Sequence, residues 1–288
     1  MPREFIEKYR GRYDIGWDAV RATRLGRQHK LGIVPAGTGL APLNPGVTPW
    51  GDLAPDVRRL CARLQETYAA FLEHTDSQIG RLIEYLDSLG NLEDTLIVLL
   101  SDNGASPEGG PTGAFKLRKH MVYEEEAPEV GLSRLDDIGG DLAFNHYPTG
   151  WAQASNTPLK WYKKDTHGGG IRAPLIIHWP QRISARNAIR AQFHHVIDIA
   201  PTLYELVGVE APTQYRGAPQ IPLLTRRPER TWGYSPTTPC VERCDCPKMQ
   251  PSGAANEIAP GIPAGCSARR DNSGWHGSPL WEARRYRW

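Results

Sequence analysis

The residues best suited to chemistry follow a short apolar run near the middle of the chain. Residues 95–100, TLIVLL, are followed directly by Ser101, Asp102, Asn103 and Gly104. Ligands of open α/β sheets bind beyond the carboxyl ends of the strands, and a carboxylate beside an amide offers two hard oxygen ligands for Ca²⁺ or Mg²⁺. Asp, Asn and Gly also form turns, so an Asx turn leaving the strand is the alternative. By spacing alone, the turn is the simpler interpretation.

A second polar segment, residues 156–174, precedes another apolar run. Its sequence, NTPLKWYKKDTHGGGIRAP, combines three lysines, a histidine and three consecutive glycines. The glycines at 168–170 would let the backbone approach a ligand closely, and Lys163 or Lys164 would supply a positive charge for an oxyanion. The alternative is a flexible basic loop in solvent. It is the simpler interpretation, because lysine side chains are usually exposed.

Helices and strands must position these two segments. Residues 4–30 and 56–89 carry apolar side chains every three or four residues, which predicts helices, and Gly90 stands where a helix C-terminal glycine is expected. Residues 95–100 and 174–179 are short apolar runs typical of strands buried on both faces. This alternation predicts an α/β fold in which both runs are central strands and the 56–89 helix packs on one face.

The remaining segments before residue 222 are predicted to be mostly irregular. Residues 34–55 are rich in proline and glycine, and residues 104–158 are loop-like. A further helix is predicted over residues 198–207, with Gly208 closing it.

The composition argues against membrane and nucleic-acid partners. The 288 residues are 40% hydrophobic and carry a net charge of +2. No stretch approaches the roughly 18–20 apolar residues of a membrane span, and the start, MPREFIEKYRGR, has no apolar region typical of a secretory signal. The small net charge gives no field that would attract nucleic acid. We therefore expect no membrane and no nucleic-acid partner and, by default, a cytoplasmic location.

Residues 223–288 differ in composition from the rest. They hold four of the five cysteines, and only six of them are Leu, Ile, Val or Phe. So little aliphatic surface predicts a poorly ordered tail after a first domain at 1–222, and a changed reading frame near Pro222 would produce such a composition. The spacing of Cys240, Cys244 and Cys246 is a weak indication of zinc.

Together these segments resemble the sulfatase family of the alkaline-phosphatase-like superfamily. SDNG after an apolar strand is similar to the family's second metal-ligand pair, and KKDTHGGGIRAP, from Lys163, is similar to its lysine-to-glycine segment. FLEHTDSQIGRL, NHYPTGWA and HHVIDIAPTLYELVGVEAP look like the arylsulfatase branch. The resemblance covers residues 2–222 and implies part of an α/β/α sandwich. Where the family often has Glu before the paired glycines, this chain has Gly168.

The resemblance also implies an activity and its residues. It implies metal-dependent hydrolysis of sulfate monoesters, with a small aryl sulfate as substrate. Asp102 and Asn103 would supply half of the ligand shell of Ca²⁺ or Mg²⁺, and Lys163 would bind the sulfate. The possible pocket neighbours, each of which would equally suit a structural role, are His146, Trp151, Trp161 and His167.

The sequence departs from the family at the nucleophile. The family uses a formylglycine made within a C/S-x-P-x-R motif, and no such motif occurs here. Cys266 comes nearest, but Ala268 stands where proline is required. The family's N-terminal Asp pair and Lys-x-His segment are missing too, so we expect an incomplete site and an inactive isolated chain. The alternatives are a non-catalytic remnant of a sulfatase, or a phosphonate monoester hydrolase or phosphodiesterase of the same superfamily.

Overall fold

The structure, a computed structural model, describes residues 1–116, 126–190 and 194–220. The described residues divide into two units, one ending at Ile189 and one beginning at Arg190, and each is described by itself. The predicted tail and the cysteines within it lie outside the described residues, as does the domain boundary predicted at residue 222.

The first unit consists mainly of helices with one small sheet. Its helices are α1 (Arg3–Glu7), α2 (Gly16–Lys30), α3 (Pro55–Ser88), α4 (Pro128–Leu132), α5 (Thr149–Ser155) and α6 (Gly168–Ile171). Its strands are β1 (Ile97–Leu100) and β2 (Leu175–His178). Short 3-10 turns occupy Trp50–Asp52 and Leu135–Asp137. No helix in the described part of the chain is both long and apolar enough to cross a membrane.

The helix predicted over 4–30 is two helices separated by a turn. Gly11 and Gly16 have φ angles of 74° and 81°, a left-handed conformation that glycine adopts without strain. The Gly11 N–H donates to the Glu66 carboxylate at 2.6 Å, which ties the turn to α3. A Cβ at residue 16 would overlap the ring of Trp50. The continuous-helix prediction is wrong here because tertiary contacts favour the turn over the apolar periodicity.

Helix α3 confirms the long helix predicted at 56–89. Pro55 begins it, at a position where the missing N–H costs nothing. Gly90, at φ 70°, ends it: its N–H donates to Asp87 at 2.9 Å and the Asn91 N–H donates to Leu86 at 3.1 Å. This pair of bonds is a Schellman motif and satisfies two carbonyls that the helix leaves unpaired.

The core of the first unit is aromatic. The ring centroids of Trp17 and Trp50 lie 4.8 Å apart, and Trp151 lies 5.6 Å from the first and 5.7 Å from the second. The Trp151 indole N–H donates to the Cys61 carbonyl at 2.9 Å, which joins α5 to α3. Both residues are fully buried.

Both predicted strands form, and they pair with each other. β1 and β2 are antiparallel, with Ile97 opposite His178 and Leu100 opposite Leu175. Their side chains are half-buried, and Leu100 is 41% exposed, so burial on both faces is not observed. In the described residues each of the two strands has one partner, so neither is a central strand there. An α/β/α sandwich needs more strands and helices than this sheet has.

A cavity separates this sheet from helix α3. Its volume is about 1100 Å³, and its walls include Tyr68, Phe71 and Leu72 of α3 and Leu99 and Ile176 of the strands. The predicted direct packing of the long helix on the sheet is therefore not observed, because apolar side chains from both elements face the same cavity.

Residues 104–158 contain more regular structure than predicted. Helices α4 and α5 have five and seven residues, too few for an apolar repeat to become visible in the sequence. Isolated bridges pair Ala114 with His146 and Lys116 with Phe144.

The second unit contains the last predicted helix. A 3-10 turn (Val196–Asp198) leads into α7 (Ile199–Leu206), and Gly208, at φ 69°, closes it as predicted. The His195 side chain and the Asp198 carboxylate form a reciprocal capping box at the start of the turn. Strands β3 (Gln214–Tyr215) and β4 (Ala218–Pro219) make a short hairpin.

Candidate functional site

Asp102 and Asn103 lie at the end of β1, where the chain turns away from the strand. The Ser101 hydroxyl donates to the Asn103 carbonyl at 2.9 Å and fixes this turn. Asp102 is exposed, Asn103 is half-buried, and both line the cavity between the sheet and α3. The chain bends here without the Asx turn considered above, because the N–H groups of Gly104 and Ala105 donate to Gly170 and Asn156 instead. Both side chains line the cavity wall.

Backbone hydrogen bonds join the segment after β1 to the lysine- and glycine-rich segment. The Gly104 N–H donates to the Gly170 carbonyl at 2.9 Å, and the Lys163 N–H donates to the Ala105 carbonyl at 3.0 Å. The Ala105 N–H in turn donates to the Asn156 side-chain oxygen at 3.0 Å. Two segments that are far apart in the sequence thus lie side by side, with Lys163 directly beside the segment that carries Asp102 and Asn103.

A carboxylate that the sequence analysis missed receives the side chains of both lysines. The ammonium of Lys163 lies 3.1 Å from Glu108 Oε2, and that of Lys164 lies 3.4 Å from Glu108 Oε1. The Ser106 hydroxyl donates to Glu108 Oε2 at 2.8 Å. This hydrogen bond and the lysine pairing lower the pKa of Glu108 to about 2. Nothing in the local spacing of Glu108 indicates this role, because its partners come from another part of the chain.

Two of the three consecutive glycines, Gly169 and Gly170, pack against the protein's own backbone. A Cβ at Gly169 would overlap the carbonyl of Trp161, and one at Gly170 would overlap the carbonyl of Asp165. A Cβ at Gly104 would overlap the carbonyl of Gly169. The structure therefore corrects the prediction for Gly169 and Gly170: the space beside them is filled by carbonyl groups of the same lysine- and glycine-rich segment, so a ligand has no room there.

The backbone around Lys163 is strained and firmly held. Trp161 and Lys164 have φ angles of 67° and 81°, in the left-handed region that non-glycine residues rarely adopt. The Trp161 N–H donates to the Asn44 side chain at 3.2 Å, and the Asn156 side chain donates to the Trp161 carbonyl at 3.2 Å. Such strain persists where surrounding contacts over-determine it, often at functional sites.

The predicted pocket neighbours occupy different places. His146 lines the cavity, and its Nδ1 lies 2.8 Å from the Tyr147 carbonyl. Trp161 is half-buried and His167 exposed, with their rings 5.9 Å apart in the loop that carries Lys163. Of the two roles left open for Trp151, the structure shows the structural one. Trp151 is fully buried in the aromatic core, where its indole packs against two other tryptophans, so it does not line a pocket for a substrate.

The residues at the end of β1 fit part of a cation site. Asp102 and Asn103 supply the hard oxygen donors that Ca²⁺ and Mg²⁺ prefer, on a solvent-accessible cavity wall. Within residues 1–116, 126–190 and 194–220 no group of three His, Cys, Asp or Glu side chains is arranged to hold a metal. Calcium takes about six to eight oxygens, so these two residues account for a minority of its ligands.

Comparison with known proteins identifies the family. A family model for sulfatases matches residues 1–209. The chain belongs to the sulfatase family. This sulfatase chain is 37% identical over 212 residues to an uncharacterised sulfatase of Schizosaccharomyces pombe, a match that covers 73% of the chain and 37% of the relative. It is 33% identical over 227 residues to an arylsulfatase of Klebsiella aerogenes, which covers 77% of the chain and 46% of the relative.

More distant relatives carry other sulfatase names. The steryl-sulfatase of Mus musculus is 27% identical over 150 residues, which is 52% of this chain and 18% of the relative. The chain therefore spans less than half the length of each of these relatives. The predicted family membership is confirmed, and with it an alkaline-phosphatase-like α/β fold at the level of the family.

Proposed function

We propose that this sulfatase chain serves the hydrolysis of small-molecule sulfate monoesters of the arylsulfatase type. The reaction is ROSO₃⁻ + H₂O → ROH + HSO₄⁻. One observation carries the proposal: the hydrogen bond from the Lys163 N–H to the Ala105 carbonyl, which holds the lysine segment against the end of β1. A cation bound by Asp102 and Asn103 would then share a neighbourhood with the ammonium of Lys163, as binding of a sulfate group requires.

Each residue has a separate task in this proposal. Asp102 and Asn103 provide two oxygen ligands for Ca²⁺ or Mg²⁺ at the cavity wall. When bound, the cation polarises sulfate oxygens. Lys163 contacts the sulfate through its ammonium and offsets the negative charge that grows on the oxygens as the S–O bond breaks. Its side chain is 36% exposed, so a ligand can reach it.

Cys61, the cysteine that the described residues contain, is not an activated nucleophile. Cys61 is fully buried within α3, and burial raises the pKa of its thiol to about 12, so it stays protonated and unreactive. The sequence contains no C/S-x-P-x-R motif. We therefore propose that the 288-residue chain by itself binds a cation and an oxyanion but turns over slowly or not at all.

Binding of inorganic sulfate and of Ca²⁺ to the purified chain tests this function. Isothermal titration should show cation binding that Asp102→Ala weakens, and sulfate binding that Lys163→Ala weakens at least tenfold. Lys160→Ala is the matched control, because that ammonium lies 5.5 Å from the centre of the Trp161 ring instead of beside Glu108. Equal sulfate affinity in the parent chain and the Lys163 variant would refute the assignment.

A further inference from the structure

Glu108 is joined to the lysine segment by more contacts than a surface ion pair requires. Its two carboxylate oxygens receive two different ammonium groups, those of Lys163 at 3.1 Å and of Lys164 at 3.4 Å. Consecutive side chains in an extended backbone point in opposite directions, so two adjacent lysines reach one carboxylate only if the chain bends between them. Lys164 supplies the bend through its left-handed φ of 81°.

Glu108 is itself held in place from its own side. The Ser106 hydroxyl donates to its carboxylate at 2.8 Å, and the Glu108 N–H donates back to the same hydroxyl oxygen at 3.2 Å. The Ser106 N–H donates to the hydroxyl of Tyr147, a buried residue, at 3.1 Å. The next residue, Gly109, packs so closely against the Tyr147 carbonyl that a Cβ on Gly109 would overlap that oxygen. The carboxylate is thus anchored to the interior while its side chain stays 26% exposed.

The ion pair leaves part of the lysine ammonium free for a ligand. Lysine has three N–H donors, and Glu108 Oε2 engages Lys163 as an acceptor at 3.1 Å. The remaining donors of a long, flexible lysine side chain are then restricted in direction, which lowers the entropy lost when an anion binds.

We infer that Glu108 is a positioning residue that orients the Lys163 ammonium for the sulfate group of the substrate. The inference rests on the proposed function of Lys163. Glu108 acts through Lys163 and makes no contact with the reacting atoms itself. Ser106 completes the arrangement by holding the Glu108 carboxylate toward the lysine.

Chemical labelling of the full 288-residue chain tests this role. The rate of acetylation of Lys163 by N-hydroxysuccinimidyl acetate is measured by mass spectrometry at increasing inorganic sulfate, with magnesium present and ionic strength held constant with chloride. In the parent chain sulfate should protect Lys163. In Glu108→Gln the sulfate concentration for half-protection should rise about tenfold, as when an orienting partner of a ligand is lost. Glu108→Asp should restore part of the protection.

The direction of the change separates positioning from simple electrostatics. Removing a nearby negative charge would by itself tighten anion binding, so unchanged or tighter sulfate binding in Glu108→Gln overturns the inference. Glu73→Gln is the matched control, because it removes the same charge from the 2.7 Å ion pair with Lys8. In Glu73→Gln, sulfate should protect Lys163 as well as it does in the parent chain. If Glu73→Gln weakens the protection as much as Glu108→Gln does, the positioning role is refuted.

The outcomes also distinguish the positioning role of Glu108 from the proposed sulfate-binding role of Lys163. Absence of protection in the parent chain refutes the sulfate-binding role of Lys163 and the inference with it. Protection in the parent that is equal in Glu108→Gln leaves the proposed function standing and refutes the positioning role alone. If Glu108→Gln fails to fold, Ser106→Ala tests the inference instead, because it keeps the Glu108 carboxylate and removes the hydroxyl that donates to it. This variant should also weaken the protection of Lys163 by sulfate. Protection equal to that in the parent chain would refute the inference.

Discussion

Gly104 and Gly169 meet so closely that a side chain on Gly104 would overlap the Gly169 carbonyl. The Gly104 N–H donates to the next carbonyl, that of Gly170, at 2.9 Å. This contact holds the segment after β1 against the lysine segment, because only residues without a Cβ allow the two backbones to come this close. The candidate site depends on this approach, since Asp102 and Lys163 reside on opposite members of the pair.

Gly104→Ala should therefore destabilise the first unit. The added methyl group would meet the backbone and not a flexible side chain, so we expect the free energy of unfolding to fall by about 1–3 kcal/mol. Gly26→Ala is the control, since its Cβ would meet open space in the exposed part of α2 and should stabilise the helix by up to ~1 kcal/mol. Urea denaturation followed by circular dichroism measures both, and a Gly104→Ala chain as stable as the parent would show that the two segments can separate freely.

Trp151 should matter for stability and not for ligand binding. Its side chain is fully buried against Trp17 and Trp50, so Trp151→Ala should cost about 3–5 kcal/mol. Trp151→Phe should cost less, because it fills most of the space and loses mainly the hydrogen bond to the Cys61 carbonyl. Thermal unfolding checks the order. Weaker sulfate binding by a well-folded Trp151→Phe chain would contradict the core assignment.

Acid should weaken the contacts of Glu108. Its pKa is about 2 in the folded chain, because Ser106 and Lys163 favour the charged carboxylate, against an ordinary value of 4.5. A depressed pKa contributes stability that is present above about pH 4.5 and is lost as the pH falls toward 2. The drop in melting temperature between pH 6 and pH 2.5 should thus be smaller in Glu108→Gln than in the parent. An equal drop in both chains would show that the pairing contributes nothing to folding.

The purified chain should not release nitrophenol from p-nitrophenyl sulfate at a rate approaching that of an intact sulfatase. In the proposed function it supplies charge stabilisation through Asp102, Asn103 and Lys163, but its sequence contains no C/S-x-P-x-R motif of the family nucleophile. Loss of a nucleophile and its partners costs on the order of 10⁶ in rate. The assay is run in millimolar calcium with Lys163→Ala as the control. Turnover that this substitution abolishes would show that another residue of the chain serves as nucleophile.

Local sequence patterns were sufficient to predict the long helix α3, the helix α7, the strands β1 and β2, and the family. The apolar repeat of α3 and the glycines at 90 and 208 are read from neighbours within a few residues, and the structure confirms them. The motifs around Asp102 and Lys163 likewise indicate a sulfatase, and the family match over residues 1–209 agrees. Such features depend on hydrogen bonds and side-chain spacing inside one element, which the sequence encodes directly.

Contacts between distant segments were decided by the tertiary structure alone. The pairing of Glu108 with Lys163 and the burial of Trp151 depend on which parts of the chain meet. The glycines show the difference most clearly: the sequence by itself determined that the backbone at Gly169 and Gly170 is open to close approach. The fold determined that the approaching atoms are the carbonyls of Trp161 and Asp165. A missing Cβ is a property of one residue, but the atom that fills its space comes from wherever the folded chain brings it.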